Sequence, residues 1–226
     1  MARRFSFKES RYAHLIAGLI TFTIMTLIVG KLSEDIRNGE PITLIDVHFS
    51  AWLAANRSRP ITIALWLITS LHSTWPVAIA TFAMGAGLWL RRQKYWLAAV
   101  WVTVYGGMLL NWMLKLVFQR TRPSFAEPIL TLTGYSFPSG HTMMATTLYG
   151  VVAAYLVSNS RSTGLRIIVI ILAGIMIALV GFSRIYLGAH YLSDVLGAMA
   201  EGLAWMSLCL PAVFWVWRRR QGGGKS

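Results

Sequence analysis

The chain has 226 residues, of which 56% are hydrophobic and only 13% are charged, and its mean hydropathy is +0.57. This composition is too apolar for an ordinary soluble domain and predicts several membrane helices. A formal net charge of +13 could indicate a nucleic-acid partner, but the basic residues stand in short clusters between apolar runs. Such clusters are typical of membrane orientation signals and phosphate ligands, so we expect a lipid bilayer and no nucleic acid as partner.

The apolar segments predict an all-α membrane protein. A membrane helix needs about 20 mostly apolar residues. The second segment contains Trp75-Pro76, which predicts a kink or an interfacial start. We expect one domain over residues 1–226, with six transmembrane helices at 12–30, 63–90, 95–118, 142–157, 165–187 and 195–217.

The segment 31–60 lies between the first two predicted helices. It mixes apolar residues with Asp46, His48 and Asn56. This pattern predicts a short amphipathic helix on the exoplasmic membrane surface, and a plain structured loop is the alternative.

The Lys and Arg residues predict the orientation of the chain. Of the 21 basic residues, 13 fall on the side that holds both termini and eight fall on the other side. The positive-inside rule therefore places both termini in the cytoplasm. The region 115–194 then has its polar motifs on the exoplasmic side.

Three short motifs occur in the region 115–194, each at the end of an apolar segment. Each motif is weak alone, but together they supply cations, two histidines and a carboxylate on one membrane side. Those groups suit the binding and transfer of a phosphoryl group. The motifs are Lys115-x6-Arg122-Pro123, Pro138-Ser139-Gly140-His141 and Ser183-Arg184-x5-His190-x3-Asp194.

Five of these residues are predicted phosphate ligands. Lys115 offers a point charge, whereas Arg122 and Arg184 offer planar guanidinium groups that can each bind two oxygens. The Ser139 hydroxyl can donate a hydrogen bond. Gly140 allows close approach of the backbone, and the following helix directs its free N–H groups at the anion.

Three further residues are predicted to be catalytic. His190 is the candidate nucleophile, because an unprotonated imidazole can attack phosphorus and form a phosphohistidine. Asp194 follows four residues later on the same helix face, where it can fix the tautomer of His190. His141 would protonate the leaving oxygen and then activate water.

The three motifs match every signature position of the type 2 phosphatidic acid phosphatase superfamily, which this chain resembles. The motif region covers about a third of the chain. The resemblance implies the same roles for His190, His141 and Asp194. It also implies an integral-membrane enzyme that removes the terminal phosphate of a lipid phosphate or diphosphate. The cytoplasmic termini and the compact length suggest a bacterial inner-membrane enzyme with a periplasmic or outward-facing site.

The resemblance leaves the substrate open. Small bacterial members act on undecaprenyl diphosphate, phosphatidylglycerol phosphate and phosphatidic acid, and the motifs recognise only the phosphate. A lipid phosphotransferase or a lipid A phosphatase could use the same intermediate. A non-catalytic lipid-phosphate binding or transport protein is a further alternative, whereas the related vanadium haloperoxidases are soluble.

The acidic residues predict that no metal or other cofactor takes part. The chain has only eight of them, and Asp194 is the sole carboxylate within the motifs. A magnesium site would normally offer more oxygen ligands. The roles of Asn111, Arg120 and Glu201 stay open, as does the oligomeric state.

Overall fold

The computed structural model describes residues 7–125, 129–130 and 132–222. Within these ranges every regular element is an α-helix, which confirms the predicted fold class. Three of the Lys and Arg residues used to predict the orientation lie outside the described residues, namely Arg3, Arg4 and Lys225. The helices are α1 (Phe7–Asn38), α2 (Pro41–Ala55), α3 (Arg59–Ser70), α4 (Thr74–Leu90), α5 (Lys94–Phe118), α6 (Gly140–Asn159), α7 (Thr163–Tyr186) and α8 (Leu192–Gly222).

Four helices are long and apolar enough to cross a membrane, which makes the chain a membrane protein. They are α5, α7 and the segments Leu15–Asn38 of α1 and Leu192–Val216 of α8. The pair α3 and α4 has the same character when it is treated as one broken span. The outer surface agrees with this assignment, because apolar side chains of α7 such as Ile168 and Ile171 are each about half exposed.

The helix α6 has 20 residues but is less apolar than these four. It lies at the centre of the bundle and packs against α5, α7 and α8. Its buried threonines bond to the preceding turn, as in the 2.8 Å contact from Thr146 Oγ1 to the carbonyl of Thr142. A helix that contacts protein on most sides has little need of an apolar surface, which explains its polarity.

The predicted kink in the second apolar segment is present as a 48° bend between α3 and α4. The break lies just before Trp75-Pro76, so that Pro76 falls in the first turn of α4. A proline is tolerated there because the first N–H groups of a helix have no partner within it. His72 fixes the break, since its ring nitrogens contact the Ile68 carbonyl and the Tyr149 hydroxyl at 2.7 Å.

The segment after α1 forms a helix, as predicted, but Asp46 on this helix is turned inward, whereas His48 is exposed. Leu44 and Trp52 of α2 are exposed, whereas Asp46 and Ser50 are buried. The buried face contacts α8, α7 and α1. The helix therefore contributes a carboxylate to the protein interior.

Candidate active site

The predicted site residues come together at one end of the bundle. Lys115 and Arg184 lie in the last turns of α5 and α7, while Gly140 and Asp194 lie in the first turns of α6 and α8. A hydrogen bond of 3.1 Å from the Ser139 N–H to the Asp194 carbonyl joins the starts of α6 and α8. The antiparallel order of these four helices brings motifs that are far apart in sequence into one site.

A cavity of about 340 Å³ lies at this end, and it contacts six of the eight predicted residues. Ser139 and Asp194 are fully buried outside its lining. Apolar side chains such as Met108 and Trp112 form another part of the wall. The six predicted residues in the lining are Lys115, Arg122, Gly140, His141, Arg184 and His190.

Backbone carbonyls hold two of the cations in place. Lys115 Nζ donates to the carbonyl of Tyr135 at 2.9 Å. Arg122 donates through Nε to the carbonyl of Gly134 at 3.0 Å and through Nη1 to that of Ala189 at 2.8 Å. These neutral acceptors orient the two side chains without cancelling their charge.

The third cation, Arg184, is 3% exposed. Its Nη1 donates to Thr69 Oγ1 at 2.9 Å, whereas its Nε finds no hydrogen-bond partner in the described part of the chain. A buried donor without a partner is costly, so an anion that accepts from it is favoured. Within the described residues, Lys115, Arg122 and Arg184 form no ion pair with a carboxylate, and the cavity is therefore strongly cationic.

The two ring nitrogens of His190 face different groups. Nδ1 lies 3.4 Å from Asp194 Oδ2, and Nε2 lies 3.3 Å from Arg122 Nη1. Because the carboxylate accepts and the guanidinium donates, Nδ1 carries the proton and Nε2 presents its lone pair. Burial lowers the pKa of His190 to about 3, outweighing the opposite effect of Asp194. The ring is therefore neutral at physiological pH, as a nitrogen nucleophile must be.

The start of α6 forms a further part of the cavity wall. His141 borders the cavity in the first turn. A Cβ atom on Gly140 would lie 3.3 Å from Asn111 Oδ1 and 3.9 Å from Lys115 Cε, so a side chain here would crowd these cavity-lining groups. Ser139 is the N-cap residue of α6, and its Oγ accepts a hydrogen bond from Thr142 at 3.0 Å.

The structure gives partners to the three residues whose roles the sequence left open. Arg120 forms ion pairs with Asp46 at 2.8 Å and Asp194 at 2.6 Å, so it is a charge of the protein interior. Asn111 donates to Glu201 at 2.8 Å.

Sequence reasoning missed Asp46, Ser136 and Thr69. Ser136 donates to Asp194, and Thr69 accepts from Arg184. Asp46 is fully buried and bonds to the residues around Asp194. One signal could have revealed it, because a carboxylate within the apolar run 42–53 is costly unless it has a buried partner.

These features define an α-helical membrane protein with a cationic cavity and a neutral, carboxylate-oriented histidine at one end of its bundle. Residues 95–218, more than half of the chain, match the model of the PAP2 superfamily. The chain belongs to the PAP2 superfamily, which confirms the resemblance that the motifs gave.

Two curated relatives give this membership more detail. The chain is 42% identical to phosphatidylglycerophosphatase B of Bacillus subtilis over 122 residues, which cover 53% of this chain and 59% of that protein. It is 32% identical to undecaprenyl-diphosphatase BcrC of B. subtilis over 106 residues, or 45% of this chain and 50% of BcrC. The chain thus spans about half the length of these curated relatives.

A solved structure extends the comparison over more of the chain. The crystal structure of a transmembrane PAP2-type phosphatidylglycerolphosphate phosphatase from B. subtilis matches with a TM-score of 0.76 and 30% identity. The match covers 84% of this chain and 94% of that one.

Proposed function

We propose that this protein removes the terminal phosphate from a membrane lipid phosphate or diphosphate by way of a phosphohistidine on His190. One observation carries the proposal. The lone pair of a neutral histidine nitrogen borders a cavity that three cations also line, and none of the three forms an ion pair among the described residues. A phosphate group satisfies both features, since it binds the cations and offers an electrophilic phosphorus.

The phosphoryl group is bound by Lys115, Arg122 and Arg184. The two guanidinium groups contact the non-bridging oxygens, and Arg184 Nε gains the acceptor that it lacks. Ser139 and Gly140 complete the site at the start of α6, where free backbone N–H groups favour an anion. Because these groups supply the positive charge that a metal supplies elsewhere, we propose catalysis without a metal.

The reaction proceeds in two steps. His190 Nε2 attacks phosphorus, the bond from phosphorus to the leaving oxygen breaks, and His141 gives that oxygen a proton. Water then attacks the phosphohistidine while His141 takes up the proton, the N–P bond breaks, and inorganic phosphate leaves. Asp194 balances the positive charge that builds on the ring of His190 in the first step.

The membrane arrangement follows from the same helices. We propose six spans, formed by α1, the bent pair α3–α4, α5, α6, α7 and α8, in one domain. The charge distribution places both termini in the cytoplasm of a bacterial inner membrane and the cavity on the exoplasmic side, with α2 at the interface. The apolar wall that includes Met108 and Trp112 then suits a lipid tail.

The relatives favour two lipids as the substrate. One named relative is a phosphatidylglycerophosphatase and another is an undecaprenyl-diphosphatase. Both reactions remove a terminal phosphate from a membrane lipid. We propose phosphatidylglycerol phosphate and undecaprenyl diphosphate as equal candidates and phosphatidic acid as a third.

Phosphate release by the purified protein in detergent tests this function. The panel holds undecaprenyl diphosphate, phosphatidylglycerol phosphate, phosphatidic acid and lipid A, each with a chelator present. We expect phosphate release from at least one of the first three lipids in the presence of the chelator. Added magnesium should not change the rate of that release. Release from lipid A alone, or transfer of label to an acceptor lipid, would replace the proposed reaction by one of its alternatives.

Two other outcomes of this assay count against the proposal. A folded protein that releases phosphate from no lipid contradicts hydrolysis. Activity that vanishes in the chelator and returns with magnesium contradicts metal-independent catalysis. Monodisperse elution in detergent shows that the protein is folded in each case.

A further inference from the structure

A buried carboxylate of α2 joins the start of α8. Asp46 is 0% exposed, and its Oδ1 accepts from the Ser193 N–H at 2.9 Å. Its Oδ2 accepts from the Ser193 hydroxyl and from Arg120 Nη2, the latter at 2.8 Å. Since Ser193 is the second residue of α8, Asp46 satisfies a backbone N–H that the helix itself leaves free.

The guanidinium of Arg120 is divided between two carboxylates. Its Nη2 bonds to Asp46, while its Nη1 bonds to Asp194 Oδ1 at 2.6 Å. The ring of Tyr191 lies 4.4 Å from the guanidinium carbon and holds its plane. Arg120 therefore takes up one oxygen of Asp194 and leaves the other available.

The remaining oxygen of Asp194 serves the catalytic histidine. Oδ2 faces His190 Nδ1 at 3.4 Å and accepts from the Tyr191 N–H at 2.9 Å and from the Ser136 hydroxyl. Each oxygen of this carboxylate thus has its own partners. This division requires that Arg120 does not bind both oxygens at once.

We propose that Asp46 is a positioning residue for His190, acting through Arg120 and Asp194. By holding Nη2 of Arg120, Asp46 prevents the bidentate pairing that an arginine and a lone carboxylate otherwise prefer. Asp194 Oδ2 then stays with His190 and fixes the Nδ1–H tautomer. The inference rests on the proposed function in assigning His190 as the nucleophile.

The negative charge of Asp46 also favours the reaction of His190. Asp46, Asp194 and Arg120 together carry one net negative charge next to His190. When phosphorus bonds to Nε2, the ring becomes positive, and this charge stabilises it. Without Asp46 the group is neutral and the stabilisation is lost.

The Asp46→Asn variant tests the proposal. We expect its kcat to fall about 10- to 100-fold, the range typical of residues that orient a reactive histidine, with KM changed less than about twofold. The inhibition constant of inorganic phosphate should also stay within about twofold, because the cations of the cavity are unchanged. His48→Gln, an exposed substitution in the same helix, is the control and should match the wild type.

A double variant separates positioning from mere support of the fold. Asp46→Asn combined with Arg120→Gln removes the guanidinium that would otherwise bind both oxygens of Asp194. Asp194 is then free to face His190 again, so we expect the double variant to recover kcat relative to Asp46→Asn. In this variant the buried Asp194 loses its ion pair with Arg120 but keeps its hydrogen bonds from Ser136 and from the Tyr191 N–H. Monodisperse elution in detergent shows that the variant is folded. A structural role predicts that the double variant is the worse of the two.

Nitrogen-15 NMR of histidine-labelled protein gives a readout that does not depend on turnover. The resonances lost in His190→Gln identify His190. We expect the Nδ1–H tautomer in the wild type and in the double variant, and a mixture of tautomers in Asp46→Asn. The proposal is overturned if Asp46→Asn keeps the wild-type tautomer and kcat, or if the double variant fails to regain the wild-type tautomer.

The two readouts keep this proposal distinct from the proposed function. A wild type that hydrolyses no lipid phosphate contradicts the function, but the tautomer comparison still decides the role of Asp46. Conversely, an active enzyme whose tautomer does not depend on Asp46 contradicts only the positioning role.

Discussion

The His190→Gln variant is expected to release phosphate from its lipid substrate at least about 10⁴-fold more slowly than the wild type, the scale seen when a nucleophile is removed. Glutamine keeps polar groups near Asp194 but offers no nitrogen that can attack phosphorus. The expected loss is in kcat, because Lys115, Arg122 and Arg184 still bind the phosphate. The measurement is steady-state phosphate release in detergent.

The matched control for this variant is His48→Gln. His48 is exposed on α2, so the same substitution there should leave the rate unchanged. A His190→Gln enzyme that keeps more than about a tenth of the wild-type rate contradicts nucleophilic catalysis, given the loss expected for such a residue. That result would favour direct attack by water or a non-catalytic role for the site.

The Arg184→Lys variant is expected to lose about 10²- to 10³-fold in kcat/KM, as when one preorganised donor to a developing charge is removed. Lysine keeps the positive charge but not the planar group that bonds to Thr69 through Nη1 and carries the Nε–H. Phosphate release over a range of substrate concentrations measures this loss.

Arg166→Lys is the control for Arg184→Lys. Arg166 is exposed at the start of α7 and donates to the Ser160 carbonyl at 2.6 Å, far along the helix from Arg184. It should keep the wild-type kcat/KM. An Arg184→Lys enzyme that matches this control shows that charge alone suffices and that the geometry of the guanidinium does not matter.

Local patterns predicted most of the helices. The apolar segments coincide with α1 and with α3 to α8, and the bend near Trp75-Pro76 was also predicted. The first helix was placed at 12–30 but continues to Asn38. Its last turns are polar and carry an ion pair of 2.8 Å between Lys31 and Asp35, so an apolar criterion ends the helix too early.

The site was predictable where its residues belong to a motif, and not where they act across the fold. The motif spacing placed Asp194 one helical turn from His190 on the same helix. The structure brings the two side chains together, but His190 lies in the connection before α8 and not on the helix. The pairing of Arg120 with Asp46 joins residues 74 positions apart, and no local spacing indicates it. The inward orientation of Asp46 depends on how α2 packs, which the pattern of α2 alone did not give.

Trapping of the phosphorylated enzyme tests the central claim most directly. The protein is mixed with lipid substrate labelled in its terminal phosphate, quenched in alkali within milliseconds, and digested for mass spectrometry. We predict label on His190, with the acid-labile and alkali-stable behaviour of a phosphohistidine, and none in His190→Gln. Rapid phosphate release with no labelled protein, or label on another residue, would contradict the account.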